Sequence, residues 1–203
     1  MPYRRRQSEA AKSLYLSGNR MIFPPFRRSP RQQIIASLYG TIVAQARAPA
    51  FYRVYGVPDT VNGRLEMVIL HVVLFLRRLE GEGAQMRALG QALFDHFCRD
   101  MDASIREMGV GDLAVPRKMR SIGEAFYRRQ AAYRSALAAT DDAVLAQALE
   151  QHVFTGAARA EAASRLASYM REAVRRLARQ DRDRFGRAEL SFPEPVTWER
   201  QPQ

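Results

Sequence analysis

Five side chains able to bind metal or carry protons, Asp95, His96, Cys98, Asp100 and Asp102, fall within eight residues of one another. The stretch has helical spacing, and on a helix His96 and Cys98 point about 200° apart, so they cannot chelate one ion together. Cys98 and Asp102 share a face at i, i+4, but a soft thiolate and a hard carboxylate make a poor ligand pair. The other histidines, His71 and His152, lack a carboxylate at matching spacing, and no Glu-x-x-His pair of the di-metal bundle type occurs. No metal and no cofactor is expected. As the sole cysteine, Cys98 also rules out a disulfide framework. Without a base nearby in sequence, it reads as a small core hydrophobe, and His71 as a hydrogen-bonded core histidine. No catalytic residue is assigned, although a group assembled from distant positions stays open.

Gly109-Val110-Gly111-Asp112-Leu113-Ala114 matches the dinucleotide pattern G-x-G-x-x-A. That chemistry needs a strand before the glycines, so that the following helix points its N-terminus at a pyrophosphate. Here a helical pattern precedes them, and the glycines read as a helix-to-helix connector. Asp95/Arg99, Asp102/Arg106 and Glu124/Arg128 are i, i+4 pairs, each worth about 0.2–0.5 kcal/mol on a solvated face.

The elements that position these residues are helical almost throughout. Residues 31–48 place Ile34, Ile35, Leu38, Ile42 and Val43 on one stripe, ended by Pro49. A helix from about Thr60 to Glu80 follows, with Asp59 or Asn62 as the expected N-cap. Ten of the twelve residues from Leu65 to Leu76 are hydrophobic. As a helix that run spans only about 18 Å, short of a bilayer core of roughly 30 Å, so it reads as the buried centre of a bundle. Glu66 and His71 interrupt it, and one or both are expected to face a groove. Residues 84–108 form the next helix, closed by Gly109. Pro116 opens another that runs to about Ala139, with Met119, Ile122, Phe126 and Tyr133 inward. Asp141 and Asp142 cap a helix to Phe154, and a last helix runs from about Ala157 to Phe185. The predicted fold is all-α: a single helical-bundle domain over 31–187, a basic N-terminal arm over 1–30, and an irregular tail over 188–203 holding Pro193, Pro195 and Trp198.

Charge is concentrated at the ends. The 203 residues carry a formal +11, and eight basic residues against Glu9 place +7 of it in the first 31 residues. The arm interleaves Arg4, Arg5, Arg6, Arg27, Arg28 and Arg31 with aromatic residues, a pattern suited to an anionic surface. Interrupted apolar character and the lack of a cleavage site argue against a secretory signal, while an Arg-rich mitochondrial presequence fits the composition. Seven arginines also lie between Arg165 and Arg184.

Three stretches carry a resemblance: LYGTIVAQARAPAFYRVYGVPD (38–59), GVPDTVNGRLEMVILHVVLFLRRL (56–79) and FDHFCRDMDASIREMGVGDLAVPRKMRSIGEAFYRRQAAY (94–133). Together they make the chain similar to the ubiquinol–cytochrome c chaperone family, with REMGVGDL (106–113) the most specific run. The Arg-rich C-terminal helix and the arm lie outside the matched stretches. The resemblance implies a helical, non-enzymatic assembly factor that receives newly made cytochrome b. It also implies a small partner protein and the ribosome as partners, and a peripheral place at the inner membrane (cytoplasmic side in a bacterium, matrix side in a mitochondrion). It maps no client contacts, so the expected contacts are the polar members of the matching motifs: Asp59, Arg64, Asp95, Asp100, Asp102, Arg106, Glu107, Asp112, Lys118, Glu124 and Arg128. The competing reading is an RNA- or ribosome-binding regulator acting through the Arg-rich ends. An apolar groove beside residues 56–133 favours the chaperone, and a continuous Arg stripe without a groove favours the regulator.

Overall fold

The computed structural model describes residues 29–154 and 160–196. Arg4, Arg5, Arg6, Arg27, Arg28 and Trp198 therefore lie outside the described residues. Eight helical segments follow in order: α1 Pro30–Ala46, α2 Pro49–Arg53, α3 Val61–Leu79, α4 Ala84–Glu107, α5 Val115–Ala138, α6 Asp142–His152, α7 Ala160–Ala178 and α8 Arg182–Phe185. No strand occurs among the described residues, and the all-α reading holds.

Helix α3 is the axis of the bundle, packed against α1, α4, α5 and α7. From Glu66 to Phe75 every residue is buried, as befits a helix apolar on all sides. Its start differs from expectation. Thr60, not Asp59 or Asn62, is the N-cap, its Oγ1 accepting from the Gly63 N–H at 3.1 Å. Asp59 is engaged instead by the Arg64 guanidinium at 2.7 Å. The Pro58 carbonyl folds back over the first turn so closely that a Cβ on Gly63 would sit 2.0 Å from its oxygen. Only glycine fits there.

One or both of Glu66 and His71 were expected to face a groove, but neither does: they are 2% and 0% exposed, and the reading of His71 as a hydrogen-bonded core histidine holds. Burial against four neighbouring helices leaves no solvent for either, so each is satisfied by protein. Arg129 of α5 donates to both Glu66 oxygens, at 2.7 and 3.0 Å. Nδ1 of His71 lies 2.8 Å from the Met67 carbonyl, which can only accept, so Nδ1 carries the proton and Nε2 accepts from the Tyr169 hydroxyl at 2.8 Å. Tyr169 in turn accepts from Gln45 Nε2 at 3.0 Å, and the same amide donates to the Pro193 carbonyl at 2.8 Å. One chain of hydrogen bonds thus ties α3, α7, α1 and the C-terminal segment.

The single last helix expected over 157–185 is two helices. Arg78, from the end of α3, donates to the carbonyls of Leu177 at 3.0 Å and Gln180 at 2.9 Å, taking up acceptors at the α7 C-terminus. Asp181 then caps α8, accepting from Asp183 N–H at 3.0 Å. Helix α6 ends at His152, short of the expected Phe154. Within α5, Phe126 and Tyr133 are buried as expected, while Met119 and Ile122 are half-buried. Residues 188–196 are irregular yet docked. Ser191 and Gln180 exchange two hydrogen bonds of 2.8 and 2.9 Å, and Phe192 packs on the His71 ring.

Two predictions follow from this packing. Gly63→Ala should lose about 1–3 kcal/mol of unfolding free energy, read by urea titration, because a backbone carbonyl must move to admit the methyl. Burial depresses His71 from 6.5 to about 4, so the folded state keeps it neutral while the unfolded chain protonates it. Stability present above pH 6.5 should therefore fall by up to about 3 kcal/mol as pH drops toward 4. His71→Gln should flatten the slope across that window.

Candidate functional site

The α4–α5 hairpin leans on the C-terminal half of α3, and the three helices leave an open groove of about 440 Å³ between them. Its floor is Leu76 and Leu79 of α3, with Met86 and Gly90 of α4. Gly90 is the crossing point: a Cβ there would meet Leu76 Cδ2 at 3.3 Å and Leu79 Cδ1 at 3.4 Å. One wall is aromatic. Phe94 packs on Phe126 with ring centroids 4.8 Å apart, and Tyr127 joins both at 5.9 and 5.8 Å. Tyr127 is 60% exposed, so much of its ring faces water beside the groove while its hydroxyl can bond solvent. The rim is polar, formed by Glu80, Arg87, Gln91, Gln130 and Arg134.

Two ion pairs fix α5 against α3 and so set the groove's width. Arg134 meets Glu80 at 2.8 Å on the exposed rim, a pair worth little alone. Glu66 with Arg129 is the buried one, its arginine side chain only 14% exposed. Burial raises the Glu66 carboxyl above its usual range, and the bonds from Arg129 pull it part of the way back.

None of the charged residues expected from the motifs lines this groove. Arg64 sits between Asp59 and the face of Tyr52, 5.7 Å from the ring centroid, at the far end of α3. Asp100 accepts from the Tyr39 hydroxyl at 2.7 Å, a bond that, after burial, raises the tyrosine's pKa. Arg106 bridges Asp102 at 2.7 Å and Asp112 at 2.6 Å across the turn between α4 and α5. Glu124 and Arg128 pair loosely at 3.8 Å on the exposed face of α5, while Glu107 and Lys118 are exposed near the turn. Asp95 comes nearest, accepting from the rim residue Gln91 at 2.8 Å. The expected Asp95/Arg99 side-chain pair does not form: Arg99 donates to the Asp95 backbone carbonyl at 3.2 Å. The cluster at 95–102 is thus spread round α4, and among the described residues no group of three His, Cys, Asp or Glu converges to hold a metal ion. Cys98 is half-buried, and burial raises its thiol pKa.

The groove's apolar residues carry no mark of their own in the sequence, because at helical spacing they read as core. The one hint available is the aromatic pair Phe126-Tyr127, adjacent rings that point about 100° apart on a helix. At the basic end, Arg31 donates to the Ala88 carbonyl at 3.3 Å. Most arginines of α7 and α8 face a carboxylate: Arg165 pairs with Glu161, Arg171 with Asp142 and Arg175 with Glu172, while Arg184 shares Glu189 with Arg187, just past α8.

Glu66→Leu alone should cost about 3–5 kcal/mol in chemical denaturation, since it strands the Arg129 charge. Combining it with Arg129→Met should recover most of that loss.

Comparison with known proteins agrees with the resemblance and extends it. A family model described as Ubiquinol-cytochrome C chaperone matches residues 53–192, so the match includes the Arg-rich helix α7 that the sequence motifs left out. The Xenopus laevis protein named ubiquinol-cytochrome-c reductase complex assembly factor 1 is 27% identical over 112 residues, covering 55% of this chain and 56% of that protein. The chain therefore aligns with little more than half the length of that relative. The crystal structure of the Cbp3 homolog from Brucella abortus superposes with a TM-score of 0.75 at 35% identity, covering 81% of this chain and 91% of that one. The chain belongs to the ubiquinol–cytochrome c chaperone family.

Proposed function

We propose that this protein is a non-enzymatic assembly chaperone for ubiquinol–cytochrome c reductase, and that it holds an apolar segment of newly made cytochrome b in the α3–α4–α5 groove. The observation that carries the reading is the groove itself, an open apolar surface inside the family-matched region. A membrane protein that has not yet inserted or folded exposes apolar side chains that must be covered reversibly. Two or three such side chains entering the groove contribute about 1.5–3 kcal/mol each when fully buried. A total near 5 kcal/mol corresponds to dissociation constants of roughly 0.1–1 mM, a hold that a folding partner can displace. The aromatic wall tolerates varied sequences, because rings bury area without demanding a fixed polar partner. Gln91 and Gln130 on the rim can bond client backbone, and Asp95 reaches that rim through Gln91.

The reading places the protein peripherally at the membrane where the reductase is assembled. No helix among the described residues is long and apolar enough to cross a bilayer. A small partner protein and the ribosome belong to the same proposal as further contacts. The regulator alternative gains no support from α7 and α8, whose arginines are largely spent on neighbouring carboxylates.

Tyr127→Asp tests the groove at its most exposed ring. Expressed in place of the wild type, it should lower haem-loaded cytochrome b and assembled reductase severalfold, by absorbance spectra and native gels. Its melting curve should match the wild type, and other respiratory complexes should stay near normal. Wild-type cytochrome b in that strain would rule out the groove, and wild-type cytochrome b in a gene deletion would rule out the client.

A further inference from the structure

Leu113 is 100% exposed and Met108 58%, both in the turn that joins α4 to α5. Neither contributes to the core. Yet the turn that displays them is tightly built. Gly109 takes a φ of 79°, and Val110 N–H donates back to the Ile105 carbonyl at 3.3 Å, closing α4. Ala114 N–H donates to Gly111 at 2.8 Å, and the Arg106 bridge to Asp102 and Asp112 clasps the loop from outside. A rigid turn that holds two apolar side chains in water has a use for them there.

Behind this tip stand Arg117, Lys118 and Arg120, all exposed and none in an ion pair among the described residues. Arg117 and Lys118 sit in the first turn of α5, where the helix dipole disfavours cations and no acidic residue offsets them. The acidic side chains nearby are Asp102 and Asp112, held in the clasp, the exposed Glu107, and Glu124, paired with Arg128. We propose that this turn is an interfacial anchor, which inserts Leu113 and Met108 into the headgroup layer of an anionic bilayer while Arg117, Lys118 and Arg120 lie on the lipid phosphates. The tip's shape favours lipid over protein. A convex point of two side chains presents far less than the roughly 800 Å² per partner of a stable protein interface, whereas a fluid headgroup layer closes around it. The groove lies about 18 Å along the same hairpin, within reach of a chain leaving the membrane surface. The inference does not depend on the identity of the client.

The test uses the full chain and vesicles of phosphatidylcholine with roughly one third phosphatidylglycerol, by flotation at about 0.1 M salt. The chain should float with these vesicles and much less with phosphatidylcholine alone. Leu113→Asp, and separately the pair Arg117→Glu with Lys118→Glu, should each lower the bound fraction about tenfold with unchanged melting curves. Val144→Asp, at an exposed apolar position on α6, should leave binding as it was. Because residues 1–28 also carry cations, a local readout accompanies flotation. An environment-sensitive fluorophore on Leu113→Cys in a Cys98→Ser background should shift to the blue on the anionic vesicles, and one on Val144→Cys should not. Unchanged binding by Leu113→Asp, or a Leu113 label that stays water-like on bound vesicles, would overturn the proposal. So would a label that shifts with a second copy of the chain or a client peptide but not with lipid.

Discussion

Burying α3 on all sides is the constraint from which the rest of the molecule follows. A helix apolar in ten of twelve positions gains strongly from complete burial, but it carries Glu66 and His71 into the interior with it. Each polar group there costs several kcal/mol unless it is bonded, and a lone carboxylate costs more. The partners must therefore arrive from other helices in fixed geometry. Arg129 brings α5, Tyr169 brings α7, and through Tyr169 the Gln45 amide brings α1 and the Pro193 carbonyl. Apolar area supplies the driving force for the bundle, while these few bonds select which helix lies against which face.

The same constraint leaves the functional surface. Helix α7 follows α3 to its end, where Arg78 meets Leu177 and Gln180, but on the side facing α4 and α5 Leu76 is only half-buried. The α4–α5 hairpin, pinned to α3 by Arg129–Glu66 and Arg134–Glu80, cannot close over that end, and the groove is what remains. At the opposite end of the hairpin the turn projects free of the bundle. One hairpin therefore carries an apolar cleft near its open end and an apolar tip at its turn.

The basic character of the chain has a different physical meaning in its different parts. Along α7 and α8 most arginines face a carboxylate, Glu161, Asp142, Glu172, Glu189 or, for Arg182, Glu82, while Arg176 and Arg179 are exposed with no ion pair among the described residues. At the start of α5 they stand unpaired beside apolar side chains. Counting charge along the sequence treats the two sets alike. Their roles separate only when neighbouring carboxylates are placed in space.

The sequence alone determined the helices, because apolar residues three and four apart have one physical outcome in water, and a glycine after them closes a helix wherever φ must turn positive. The density of apolar residues between Leu65 and Leu76 likewise marked α3 as central, and Gly109-x-Gly111 as a connector rather than a phosphate cradle. What tertiary structure decided is everything carried by non-local bonds. Glu66 meets Arg129 across 63 residues and His71 meets Tyr169 across 98, so no local pattern shows that both are buried rather than facing a groove. Arg78 ends α7 from 99 residues away, which is why periodicity alone runs the last helix on to Phe185. The groove was hidden for a related reason. Leu76, Phe94 and Phe126 have the types and spacing of core, and whether an apolar face is covered depends on where the neighbouring helices stop.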